Sequence, residues 1–484
     1  MSRSLSERAV LVTFVTLLLV LIGCGQNEPE AVAPKRIFFI TIDTLRADHL
    51  GAYGYPRPTS PTLDRLAGEG VLFEQAIAQW PKTTPSFASM FTGQYPQTTG
   101  MTHRAAKWLS GDYVTLAEMI QSAGYWTGAV VSNPMLSISL GWDQGFAEFW
   151  ETWQTDEDLG SDPARYRTVI NALRVNELAL PLLERAKEHD QSFIWLHYSD
   201  PHAPYILPPD VENPFLGDEF DTSPDLVEGK IAPSAKIEDQ ERLGFYVAQY
   251  DANIRIADRL IGEILETAEV LGLLEDSLIV FTSDHGEGMG EHKSYFKHGT
   301  LPYNTGSHVP LFFLFSDEAR RGRQVDLPVE LIDLYPTLRE LVAADTAVEL
   351  EGTSLVPFLA GPDSGERIDP TQFDYAFSEA GHPMALRSYY RSVQDQRWKL
   401  VFHPEVDHPR KGQASPLIEL YDLHQDPMEQ NNLAGLHDSE FGRLWDALSE
   451  WMRQGGESDS TDQAEDEGHS EETRKALEAL GYLD

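Results

Sequence analysis

The chain has 484 residues, 77 of them Asp or Glu against 37 Lys or Arg, for a formal charge of −40, with 41% hydrophobic residues, 10% aromatic residues and a single cysteine. That apolar content supports a large core and excludes a disordered chain or a small stapled scaffold. The acidic balance, without any basic block, excludes nucleic-acid binding, and one cysteine excludes an intrachain disulfide or a Cys-rich zinc site.

Residues 1–23 start with Arg3 and Arg8 and continue as fifteen uncharged, mostly apolar residues from Ala9 to Gly23. Fifteen is short for a spanning helix, which needs about 20 residues, and suits the apolar region of an export signal. Leu21-Ile22-Gly23-Cys24 resembles a bacterial lipoprotein box, with Cys24 as the lipid-attachment residue after cleavage. A signal anchor with an incidental cysteine is the alternative, and Glu7 is atypical for a signal start. The polar segment 24–34 then reads as a tether. The chain is expected to be exported and lipid-anchored to a bacterial membrane, in the periplasm or at the outer membrane, without a spanning helix.

Residues 35–345 read as one large catalytic domain. Three continuous apolar runs, Arg36 to Asp43, Ser192 to His202 and Ser277 to His285, each end in a polar cluster. Runs of this kind mark strands buried on both faces. Thr127 to Ser132 and Pro310 to Phe315 are further strand candidates, and helical patterns fall at Pro61 to Gly68, Val114 to Gly124, Ala164 to Glu188 and Glu238 to Gly272. The alternation predicts an α/β fold, a large mostly parallel sheet sandwiched by helices, with ligands bound beyond the carboxyl ends of the strands. Residues 346–370 connect to a smaller α+β subdomain over 371–455. Its strands are expected at Tyr389 to Val393, Trp398 to Phe402 and Glu419 to Leu423, with a helix at Ser439 to Arg453. Residues 456–472 form an acidic low-complexity tail expected to be disordered, and 473–484 a short closing helix.

Chemistry gathers at the strand ends. Asp43 ends the first strand, and Asp284-His285 ends another in Thr-Ser-Asp-His-Gly-Glu. Acids at the carboxyl ends of strands, beside an open crevice, are well placed to hold a hard cation, although each taken singly is also an ordinary capping or turn residue. Between them in sequence lies Trp80-Pro81-Lys82-Thr83-Thr84-Pro85-Ser86-Phe87, with a helix expected onward to Phe91. Pro85 suits a first helical position, which puts Thr83 or Thr84 at an N-terminus that favours an oxyanion. A plain threonine cap is the competing reading.

Asp43 to Tyr55, Thr83 to Gly93, His197 to His202, Thr282 to His292 and Leu417 to Leu433 together resemble the sulfatase family of the alkaline phosphatase superfamily, in order over residues 36 to 435. The resemblance implies a large α/β domain plus a smaller C-terminal one. The family signature C/S-x-P-S-R-x-x-x-L-T-G lays its formylglycine precursor on Thr83 and its Arg on Phe87. Threonine cannot become formylglycine, so the chain is similar to the threonine-bearing branch, whose unmodified Thr attacks the ester. By the same resemblance Asp43, Thr83, Asp284 and His285 hold a metal and His298 is a general acid. His202 and Lys297 contact substrate, and His197 reads as a packed strand residue. The family's second metal Asp is Thr44 here, a family Lys near residue 130 gives way to Ser132-Asn133, and Asp200 with His202 is the visible trace of a second metal site.

One divalent cation is therefore expected, calcium by the resemblance, with manganese or magnesium open, and no formylglycine. An oxygen-rich set with one imidazole suits those ions better than a thiolate-type zinc site. A threonine sulfate has no aldehyde to collapse to and must wait for water, whereas phosphoryl groups on an alcohol turn over readily beside a metal. The expected function is a metal-dependent hydrolase of small sulfate or phosphate esters. Alternatives are a phosphodiesterase or phosphonate monoester hydrolase, a membrane headgroup transferase, or an inactive sulfated-glycan-binding homologue. The charge of −40 disfavours a polyanionic substrate, with Lys82, Arg104, Lys107, Lys293 and Lys297 as the sparse cations able to offset it.

Overall fold

The computed structural model describes residues 33–102, 108–154, 168, 170–208, 210–217, 227, 230–232, 235–317, 320–359, 369–381, 390–403, 418–454 and 475. The export signal, Cys24, the tether up to residue 32, Arg104, Lys107 and the acidic tail lie outside the described residues, as does the closing helix apart from Lys475. No helix among the described residues is long and apolar enough to cross a membrane.

The described strands of the large sheet are β1 (Arg36–Ile42), β2 (Val71–Ile77), β3 (Trp126–Val131), β4 (Glu148–Glu151), β5 (Ser192–Tyr198) and β6 (Ser277–Ser283). A short hairpin, β7 (Gly288–Met289) with β8 (Tyr295–Lys297), precedes two more strands of that sheet, β9 (His308–Phe315) and β10 (Arg323–Glu330). Their order is β10-β2-β9-β6-β1-β5-β3-β4. All neighbours are parallel except β9, which runs antiparallel between β2 and β6. The expected mostly parallel sheet is what forms, with one reversed strand in its middle.

Both faces of the sheet are covered, which is why its central strand reads as an unbroken apolar run. Ile37 and Phe39 of β1 enter one core with Phe87, Leu116 and Leu334. Phe38, Ile40 and Ile42 enter the other with Leu63, Val175 and Ile254. The first core belongs to α2 (Thr83–Thr92), α3 (Leu116–Ser122) and α6 (Leu334–Leu341). The second belongs to α1 (Pro61–Glu69), α4 (Ala172–Ala186) and α5 (Leu243–Val270). Burying one Leu, Ile or Phe side chain contributes about 1.5–3 kcal/mol, so these two layers dominate the stability.

Three strands of this sheet, β2, β4 and β10, escape the sequence patterns. In β2 the polar pair Glu74-Gln75 interrupts the apolar run, and β10 is a polar edge strand whose Pro328 sits at a register shift. An edge strand tolerates proline because one side of its backbone needs no partner.

The second sheet is antiparallel, in the order β11 (Ala376–Ala380), β12 (Tyr390–Gln394), β13 (Trp398–Phe402), β14 (Ile418–Asp422). The helix α7 (Asp438–Gln454) packs on it through Leu444, Leu448 and Trp451. The sequence patterns find β12 to β14 and α7 to within a residue or so at each end and miss β11. Its backbone meets the large domain where Glu379 N donates to Gln79 O at 2.8 Å.

Candidate active site and metal centre

Strands β1 and β6 are adjacent, parallel and in register, with Ile42 opposite Ser283. The next residue of each, Asp43 and Asp284, therefore emerges side by side at the carboxyl end of the sheet. Neither carboxylate is exposed, and His285 beside them is equally buried. One ligand atom from each of Asp43, Asp284 and His285 lies within 4.8 Å of the others.

Half of each carboxylate is answered by the protein. Asp43 Oδ2 accepts from Asn133 Nδ2 at 2.5 Å, and Asp284 Oδ1 accepts from Thr44 N at 3.1 Å and His285 N at 2.8 Å. The other halves, Asp43 Oδ1 and Asp284 Oδ2, are buried with no hydrogen-bond partner. His285 Nε2 lies 3.8 Å from the former and 3.4 Å from the latter. Its Nδ1 is 2.8 Å from Gly286 O, so the proton is assigned to Nδ1 and the Nε2 lone pair faces the acids.

Burial, then the charge of Asp43, pushes the Asp284 carboxyl well above the usual range. Burial also raises Asp43, against the opposing influence of His202. Burial and the neighbouring His298 hold His285 well below the ordinary imidazole value. Two buried carboxylates that each leave an oxygen without a donor, plus a neutral imidazole nitrogen, fit a hard divalent cation. Thr44, which lacks the carboxylate of the family pattern, sits at φ 58° and turns its hydroxyl to Asp43 O at 2.7 Å. A positive φ at a β-branched residue is strained, and such strain gathers at functional sites.

Helix α2 delivers the hydroxyl. Ser86 Oγ donates to Asp284 O at 2.6 Å, fastening the first turn to the end of β6. Thr83 Oγ1 then lies 3.4 Å from His285 Nε2, on the side of the open carboxylate oxygens. The helix starts two residues earlier than Pro85 suggests. Lys82 is the N-cap residue without a side-chain cap bond, so neither threonine serves as the cap. At the far end Gly93 takes φ 66°, where a Cβ would meet Tyr335.

The remaining candidates divide. His298 Nδ1 lies 3.4 Å from Glu287 Oε1, and its ring is centred 4.5 Å from His285 and 5.4 Å from His202. His202 is buried, with Nδ1 2.7 Å from Ala203 O. Lys297 is exposed at the end of β8 and is not drawn into the buried cluster. Asp200 Oδ2 accepts from Ala172 N at 2.6 Å, so one oxygen of this carboxylate is engaged at the start of α4. His197 is fully buried, pushed down to about 3 by burial, and its Nδ1 faces Thr41 Oγ1 at 3.2 Å.

Three contributors were not assigned from sequence. Asn133 holds Asp43. Glu287 is buried and pushed up to about 7 by burial, and it accepts from Tyr205 OH at 3.0 Å. Its spacing in Asp-His-Gly-Glu was the available signal. Phe87, at the family Arg position, fills an aromatic cluster, with ring centres 5.3 Å from Trp195 and 5.1 Å from His197.

Residues 35–344 match the family model "Sulfatase", and residues 290–456 match "N-sulphoglucosamine sulphohydrolase, C-terminal". The ulvan-active sulfatase of Formosa agariphila is 25% identical over 426 residues, covering 85% of this chain and 79% of its own. Arylsulfatase K of Xenopus laevis is 27% identical over 417 residues, covering 78% and 74%. The crystal structure of the phosphonate monoester hydrolase of Agrobacterium radiobacter superposes with a TM-score of 0.66 at 22% identity, covering 87% of this chain and 96% of that one, a likeness of fold.

Proposed function

The chain belongs to the sulfatase family of ester hydrolases, and within it we propose a metal-dependent hydrolase of small sulfate or phosphate esters that attacks with the unmodified hydroxyl of Thr83. The observation that carries the reading is the pair of buried, partnerless oxygens Asp43 Oδ1 and Asp284 Oδ2 beside His285 Nε2 and Thr83 Oγ1. Calcium, manganese or magnesium suits that donor set. Such an ion would lower the pKa of a bound hydroxyl and polarise an ester oxygen.

The residues then divide the work. Asp43, Asp284 and His285 hold the cation, with Asn133 and the Thr44 N–H fixing the carboxylates so that their open oxygens converge. Thr83 presents its hydroxyl from the first turn of α2, where the helix end favours the ester's anionic oxygens. His298 protonates the leaving oxygen, and Glu287 keeps its ring in place. His202 bounds the site next to His298, and exposed Lys297 meets the substrate only at the periphery. The substrate reaches an exported protein held at a bacterial membrane through lipid on Cys24.

Threonine chemistry favours phosphorus within this range of esters, since a threonine phosphoester is released by in-line water while a threonine sulfate lacks the aldehyde exit. A phosphodiesterase or phosphonate monoester hydrolase is therefore the second reading. The inactive glycan-binding alternative is weaker, because two open buried carboxylates serve no purpose in a binding module.

A panel of p-nitrophenyl sulfate, phosphate, phosphonate and phosphodiester substrates, with and without chelator, tests the proposal. Turnover is expected on at least one of them, lost on chelation, and reduced about 1000-fold or more in Thr83→Ala. Full activity of Thr83→Ala on every substrate turned over by the wild type would overturn it.

A further inference from the structure

None of the second sheet's described residues belongs to the cluster of Asp43, Asp284 and His285. That sheet nevertheless grips the segment that carries His298. His298 follows β8 and leads through Gly299, at φ 85°, to Tyr303 and the helical turn Asn304–Ser307. Both ends of this segment are fastened. Gly299 O accepts from Gly381 N at 3.0 Å and from Trp80 Nε1 at 3.2 Å, and Gly286 N, next to His285, donates to Gly306 O at 2.7 Å.

The firmest hold is on Asn304. Glu429, fully buried, accepts from Asn304 N through Oε2 at 2.6 Å, and its Oε1 lies 2.8 Å from Lys399 Nζ. The same ammonium, also buried, donates to Asn304 Oδ1 at 2.8 Å. One buried ion pair thus holds both the backbone and the side chain of a single residue. Beside it, Tyr303 OH donates to Glu419 Oε2 at 2.8 Å, and the Tyr303 ring stacks on His292 with ring centres 3.5 Å apart. Lys399 belongs to β13, Glu419 to β14 and Glu429 to the loop that follows β14.

A buried ion pair is a poor way to gain stability, because desolvating two charges offsets most of their attraction and apolar side chains of similar volume often serve as well. What it supplies is a fixed geometry, since charge-assisted hydrogen bonds are short and strong. Glu429 adopts φ 54° while making them, an uncommon backbone angle for a residue with a Cβ. General acid catalysis depends on such a geometry. The donor must lie within hydrogen-bond reach of the leaving oxygen, and a misplacement of about 1 Å can cost about a hundredfold in rate.

We propose that Glu429 and Lys399 are positioning residues for His298, their buried pair clamping Asn304 to the second sheet and so setting where the acid meets the leaving oxygen. The proposal deepens the hydrolase reading and rests on it for the role of His298. It gives the second sheet a part in catalysis as well as in folding.

Leaving groups that differ in their need for a proton test this in the full chain, loaded with the cation that supports turnover. A p-nitrophenolate departs without protonation, whereas the phenolate of the matching phenyl ester gains from an acid. Glu429→Gln is expected to lower kcat/KM on the phenyl ester about tenfold or more beyond its effect on the p-nitrophenyl ester. Asn304→Ala, which spares the ion pair and removes only its side-chain hold, is expected to act in the same direction by about threefold or more, and it carries the test if Glu429→Gln fails to fold. Leu448→Ala, in the core between α7 and the second sheet, is expected to lower the thermal midpoint without changing the ratio of the two esters. Backbone hydrogen exchange over residues 298–304 is expected to quicken in Glu429→Gln and Asn304→Ala, and to stay as in the wild type around Asp43. A ratio within about twofold of the wild type in both variants overturns the proposal, as does an equal change of ratio in Leu448→Ala or unchanged exchange over 298–304. If the wild type turns over no ester the hydrolase reading fails, and the exchange still decides whether the pair holds the segment.

Discussion

Among the described residues, two pairs of buried carboxylates are treated in opposite ways. Glu330 and Asp333 sit where β10 leads into α6, against the second sheet. Glu330 accepts from Gln79, from Tyr95 OH at 2.8 Å and from Phe377 N at 2.9 Å, while Asp333 accepts from Glu330 N and from Thr353 N at 2.7 Å. Every oxygen of that pair has a protein donor. Asp43 and Asp284 are as deeply buried, yet each keeps one oxygen without a partner, and those two oxygens converge on His285 and Thr83. Burial alone therefore does not distinguish a buttress from a site. The distinction lies in whether the fold has answered the charge or left it for something else to answer.

The largest effect expected from this contrast is on turnover. Asp284→Asn removes half of the open carboxylate pair and should lower hydrolysis about 1000-fold. It should leave the apo fold intact or steadier, because it relieves repulsion with Asp43. The wild type should gain thermal stability from its cation, about 2.7 kcal/mol at a hundredfold excess over Kd, and Asp284→Asn should lose that gain. Wild-type turnover in Asp284→Asn, or an apo fold less stable than the wild type, would break the contrast.

Next in size is Glu330→Ala, which strands Tyr95 OH, Gln79 Nε2 and Phe377 N together. A loss of about 3 kcal/mol or more in denaturant unfolding is expected, with kcat per folded molecule unchanged. Cation affinity altered by this variant would show that the two pairs are not independent.

The pH dependence sharpens the same point. Burial and then the charge of Asp333 push Glu330 up to about 8, and burial pushes Asp333 up to about 7. Between the ordinary carboxylate range, about 4, and about 8 the folded chain holds protons that the unfolded chain has lost. This contribution to stability therefore falls as pH rises through that window, by at most about 1.4 kcal/mol per unit for each group. Urea midpoints measured across it should decline, and Glu330→Gln should flatten the decline. The smallest effect belongs to Lys297→Ala. An exposed, solvent-screened cation should change KM by no more than about twofold, and a tenfold change would bring Lys297 into the site.

Much of the centre was legible because its parts lie at strand ends. The runs closing on Asp43 and on Asp284-His285 were apolar on both faces, so their polar termini stood out, and Thr83 stood out through the register of Pro85, Ser86, Thr92 and Gly93. Strands β2, β10 and β11 were less visible, since polar residues or a proline at an edge hide the strand period. Glu287 was passed over because Asp-His-Gly-Glu reads equally as a polar turn. Asp200 with His202 read as the trace of a second metal site, and only the packing of α4 shows one oxygen of its carboxylate at a backbone N–H.

The sequence by itself determined the sheet-and-helix alternation and the strand ends that carry the acids, and its resemblance laid the family's formylglycine precursor on Thr83 and the family Arg on Phe87. Apolar periodicity and residue identity are local properties, readable without knowing what lies opposite. The tertiary structure decided which of those acids keep an unanswered oxygen, that Asn133 is spent on Asp43, and that Ser86 fastens the first turn of α2 to the end of β6. Those facts depend on donors and charges separated by tens to hundreds of residues in the chain, and hydrogen-bond satisfaction and Coulomb interaction are set by distance in space.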